Sequence, residues 1–228
     1  MDDSHERLIG ALTADLVPVR RLPPPALRAL FWLVLVAAIA AVLAMFSDVA
    51  AMWQRLTASP DLSLAALGSM ATAATAALAA FALDLPDRSR AWALLPVPAA
   101  GLWIGASGLG CLRGDLLPGA HVATIGETRD CLLFIVVLSL PLSAALFVML
   151  RRGYSLAPPL TAAMAGLAAA AAAATLLNFF HPFDAAATDL AVHAFAVALV
   201  VVAARALGGR ALQNSPAATV TVPPAGSH

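Results

Sequence analysis

The chain has 228 residues, 61% of them apolar and only 11% charged, and its formal net charge is zero. Soluble domains carry roughly 25% charged residues, so this composition, with a mean hydropathy of +0.88, points to a polytopic membrane protein and gives no support to a nucleic-acid partner. Every one of the 13 basic residues is Arg, and two cysteines are too few for a disulfide scaffold.

Residues 1–28 form a polar arm. Asp3 and Glu6 are spaced as a helix start, and Leu8, Leu12 and Leu16 recur every four residues with Ile9 beside them. This spacing predicts a short helix, about residues 4–16, with one apolar stripe that must rest on the membrane, on the rest of the chain or on a partner. Pro23–Pro25 predict a stiff, extended connector, with Arg20, Arg21 and Arg28 placed just before the first span. The first apolar run begins too late in the chain for a removable signal peptide to be expected.

Six apolar segments come next, at about 29–46, 62–83, 91–109, 131–150, 157–178 and 188–207. Each is near the ~20 residues that a helix needs to cross a bilayer. The expected fold is therefore an all-α integral membrane bundle of six helices, residues 29–207, preceded by the cytoplasmic arm. Residues 208–228 are expected to be a disordered cytoplasmic tail. Arg7, Arg20, Arg21, Arg28, Arg88, Arg90, Arg151, Arg152, Arg205 and Arg210 fall on one side of such a topology, against Arg55, Arg113 and Arg129 on the other. The positive-inside rule then predicts both termini in the cytoplasm of a bacterial inner-membrane protein. Trp32, Trp92 and Tyr154 are expected at inner span ends and Trp53 at an outer one.

No span carries Asp, Glu or Arg at its centre, which argues against a proton-coupled transporter. The Ala-rich second and fifth spans are expected to pack inside the bundle. Pro96, Pro98 and Pro141 are expected to bend or loosen spans three and four. The predicted outward connection between spans three and four holds both cysteines, Cys111 and Cys131, together with His121, Asp115 and Glu127. A stapling disulfide, a redox-switchable or metal-responsive thiol pair, and two unconnected thiols all fit this placement. The last outward connection holds His181 and Asp184, and Asp189 and His193 lie one turn apart on the next helix. Cys111, Cys131, His121 and His181 are the candidate metal ligands, but their spacing matches no metal motif. No Ser-His-Asp arrangement, phosphate loop or H-E-x-x-H is present, so an enzyme is not expected.

The arm LIGALTADLVPVRRLPPPALRALFWL, the link DRSRAWALLP, the GCL ending span three and the run RDCLLFIVVLSLPLSAALFVMLRRG carry a resemblance. Over residues 5–207 the chain resembles the NrsF-type (negative regulator of sigma F) family of six-span bacterial anti-sigma factors. The resemblance implies that a cytoplasmic arm sequesters an extracytoplasmic-function sigma factor and releases it on a stress signal such as metal or oxidant. It implies Leu8, Leu12, Asp15, Leu16, Val19, Arg20 and Arg21 as sigma contacts and Cys111 and Cys131 as sensors. The partners implied are the sigma factor and membrane lipid, with no direct nucleic acid and no small-molecule substrate. No resident cofactor is expected beyond a transient metal ion at the cysteines. The resemblance implies that many relatives carry a further cysteine in the last outward connection, where this chain reads FFHPFD; if that cysteine belongs to the usual sensor, the signal chemistry here is expected to differ. The competing reading from the residues alone is a small transporter or channel for a metal or apolar solute.

Overall fold

The computed structural model describes residues 3–14, 22–115, 125–180 and 187–213, without the side chains of 3, 111, 113–115, 125, 127, 128 and 187–190. All regular structure among them is helical. Helix α1 (Asp3–Ala14) is the arm. The bundle consists of α2 (Pro25–Ala44), the short α3 (Val49–Ala58), α4 (Pro60–Leu83), α5 (Val97–Asp115), α6 (Ile125–Leu150), α7 (Pro158–Leu177) and α8 (Ala187–Ala203). A π-helical turn, Ala204–Gly208, continues α8 into a last turn, Gly209–Gln213. Among the described residues, six helices are long and apolar enough to cross a membrane.

Helices α4 and α7 form the centre. Their alanines, Ala73, Ala76 and Ala80 on α4 and Ala165, Ala168 and Ala172 on α7, join one buried cluster with Leu142, Leu146 and Leu150 of α6. Small side chains let backbones approach closely where lipid offers no hydrophobic drive for association. The limit is reached at Gly68, where a Cβ would lie 2.7 Å from the backbone nitrogen of Trp103 on α5. The most apolar window of α7 is 78% buried and that of α8 only 11%, so α7 is the interior helix and α8 a peripheral one. This bears out the packing role expected for the two Ala-rich spans.

Several features depart from the sequence expectation. Pro24 occupies the N-cap of α2 and Pro25 its first turn, where a missing N–H costs no bond. The helix therefore starts four residues early, and Arg28 lies inside it and buried rather than before it. The same shift turns Trp32 inward. It is fully buried, and its indole Nε1 donates to the Leu142 carbonyl at 3.2 Å, so it belongs to no surface belt. Span three begins as a separate 3₁₀ turn (Arg90–Leu94) before Pro96, and Pro98 sits in the first turn of α5. Helix α6, by contrast, runs through Pro141. The short helix α3 has no counterpart in the expected spans, and the helical chain extends to Gln213 rather than stopping near 207.

Candidate functional site: an exposed arm and two polar ends

On α1, Leu8, Ile9 and Leu12 are 57–64% exposed, and every other described side chain of residues 4–14 is exposed as well. The stripe expected from the sequence is present and uncovered by the bundle. Asp15, Leu16, Val19, Arg20 and Arg21 lie outside the described residues.

Where the arm joins the bundle, Arg28 Nη1 donates to Asp84 Oδ2 at 2.9 Å, and Arg28 Nη2 donates to the Met149 carbonyl. The guanidinium also stacks over Phe81, 4.5 Å from the ring centroid. One side chain of α2 thus ties the ends of α4 and α6 together. Helix α4 ends at Asp84, its C-cap, and the Leu83 carbonyl accepts from Ser155 Oγ at 3.1 Å. Burial pushes the Asp84 carboxyl up from 3.8 to about 6, and Arg28 pulls in the opposite direction through its charge and hydrogen bond. Gly153, which closes the RRG tripeptide, leaves the space that this carboxylate fills; any Cβ there would overlap it. Arg28 and Asp84 are 56 positions apart, and no motif or spacing in the sequence marks either as part of a site.

At the other end, Cys131 is buried with Ile135, Ala173, Leu177 and Ala196. Its sulfur lies 3.3 Å from His193 Nε2 on α8. Cys131 is 62 residues from His193 in the chain, and the Asp189 side chain, which the spacing places one turn from His193, lies outside the described residues. The Cys111 side chain, His121 and His181 lie outside the described residues. Among the described residues, no group of three or more His, Cys, Asp or Glu side chains is arranged to hold a metal ion. Above α7, Arg55 of α3 donates to the Asn178 carbonyl at 3.3 Å. Nearby, the Ser69 and Thr175 hydroxyls bond at 2.8 Å between α4 and α7.

A helical bundle with membrane-spanning dimensions, a polar knot at each end and an exposed amphipathic arm defines a class: a multi-helix protein long and apolar enough to span a membrane, with a short N-terminal helix outside the bundle core. A family model for NrsF, the negative regulator of sigma F, matches residues 12–213. The chain belongs to that family. No curated protein and no solved structure matches it.

Proposed function

We propose that the chain is an inner-membrane anti-sigma factor that holds an extracytoplasmic-function sigma factor on its N-terminal arm, in the cytoplasm, and releases it on an external stress signal. The observation that carries this reading is the bare leucine stripe of α1 in a member of the family of negative regulators of sigma F. A helix presenting Leu8 and Leu12 at one-turn spacing is suited to a groove on a soluble partner, where each buried leucine contributes about 1.5–3 kcal/mol. The distribution of arginine favours the arm side as cytoplasmic. Asp15, Leu16, Val19, Arg20 and Arg21 extend the proposed contact. The signal, a soft metal ion or an oxidant, is read at the far end by Cys111 and Cys131, and the proximity of His193 to Cys131 supports a polarisable sulfur there.

The test is co-expression of the tagged chain, with and without residues 1–28, with its cognate sigma factor. Co-purification in detergent that requires the arm is the expected result; a sigma factor that never co-purifies overturns the proposal. A sigma-dependent reporter in the same cells reads the sensor. Cys131→Ser is expected to change induction by a soft divalent metal or by peroxide, and unchanged induction removes Cys131 from the sensing role.

A further inference from the structure

Between α5 and α8 the bundle is open at the side. A crevice of about 460 Å³ has Ala66 of α4 and Ala174 of α7 as its floor, with Trp103 and Ile104 on one wall and Val197 and Val201 on the other. This volume is within the roughly 300–1,000 Å³ of ordinary ligand sites. Ile104 and Val202, at its rim, are 65% and 64% exposed, so the opening faces whatever surrounds the bundle.

The polarity of the crevice is one-sided. Its body is apolar, and Arg55, Asn178 and His193 gather at the Cys131 end. Arg55 is half-buried, and among the described residues a single N–H of its guanidinium is used, on the Asn178 carbonyl. Among the described residues no carboxylate lies within ion-pair distance of it. A guanidinium offers five donors in a fixed fork suited to phosphate, so capping α7 leaves most of them for another acceptor. Arg55 is carried by α3, whose Trp53 is 64% exposed, as suits a helix lying at the headgroup level of a bilayer. From His193 to Val202 is nine residues, about 13 Å at the helical rise of about 1.5 Å. That is close to half of the ~30 Å hydrocarbon core, the reach of one acyl chain in one leaflet.

We propose that the crevice is a binding site for an anionic membrane phospholipid, one acyl chain lying between α5 and α8 and the phosphate held by Arg55. The charge at the mouth and the leaflet-length apolar trough below it select this occupant. His193 belongs both to the mouth and to the contact with Cys131, so the bound lipid abuts the residue pair at that end. The proposal rests on the membrane reading of the bundle and goes beyond its regulatory role.

The probes are phosphatidylglycerol and phosphatidylcholine with brominated acyl chains, incorporated in nanodiscs with the full chain carrying Trp53→Phe and Trp92→Phe. Trp103 then reports from the crevice wall, while Trp32 is sealed in the core. Brominated phosphatidylglycerol is expected to quench with about tenfold higher apparent affinity than phosphatidylcholine, as charge-assisted hydrogen bonds would give. Arg55→Lys keeps the preference, Arg55→Gln abolishes it, and Ala198→Phe, which fills the α8 wall, weakens quenching by both lipids. Equal quenching by the two lipids, or a preference that survives Arg55→Gln, overturns the site while leaving the membrane reading intact. No quenching by either lipid overturns both. Native mass spectrometry of the unsubstituted chain provides a second readout: retention of one phosphatidylglycerol over phosphatidylcholine is expected, and retention of neither or of both alike counts against the site.

Discussion

Among the described residues, Arg28 and Asp84 are the charges that the bundle removes from water most completely, with 5% and 1% of their side chains exposed. Removing one member of a buried pair strands the other, at a cost of about 3–5 kcal/mol. Arg28→Met, which leaves the Asp84 carboxylate buried without its cation, is therefore expected to lower stability by that order near neutral pH, as measured by thermal unfolding in detergent. The pH dependence has a definite sign. With its folded value pushed up to about 6, the Asp84 carboxyl binds more protons in the folded than in the unfolded chain between 3.8 and about 6. Its contribution to stability is thus present at low pH and declines as pH rises through that window. Asp84→Asn should lack this component, and identical pH profiles for the two chains would show that Asp84 does not titrate there. Neither residue is legible as a site in the sequence. The prolines before Arg28 read as a connector, because Pro at a helix start and Pro in an extended link share the same φ and differ only in the backbone of the residues after them. The pairing of Cys131 with His193 is hidden for a different reason: it joins two helices far apart in the chain, and no local period marks it.

Among the elements, the long spans are legible because apolar runs of ~20 residues have few alternatives. Helix α3 is not: it is short, and residues such as Gln54 and Arg55 break its apolar pattern. Helix α1 is legible from its leucine period, found at Asp3–Ala14 against an expected 4–16. Because Leu8 and Leu12 are exposed, replacing them should separate docking from folding. Leu8→Asp or Leu12→Asp is expected to weaken sigma-factor binding by about ten- to a hundredfold, from the loss of about 1.5–3 kcal/mol of leucine burial. The unfolding temperature of the bundle should not move. Titration of labelled sigma factor against the purified chain measures the first effect, and a thermal melt the second. A fall in melting temperature equal to that of Arg28→Met would show instead that the stripe packs on its own bundle.

For the whole molecule, alternating helix direction puts the start of α2 and the end of the α8 extension at one end, with Arg88, Arg90, Arg151 and Arg152. Helix α5 ends and α6 begins at the other end. A fluorescent protein that matures only in the cytoplasm is expected to shine when fused after Gln213, and a phosphatase active only outside the membrane to work when inserted within 116–124. The reverse pattern would invert the proposed orientation. The alanine interior has a mechanical consequence as well. Alanines raise only low ridges, so α4 and α7 meet over a smooth surface that resists sliding weakly along their common axis. Resistance to shear between them must then come from the fastenings: the Thr161 hydroxyl on the Leu83 carbonyl at one extremity, Ser69 with Thr175 toward the other. That contact is built as a plain bearing with a pin near each end, so resistance to sliding along it falls to a few polar bonds rather than to interlocking side chains.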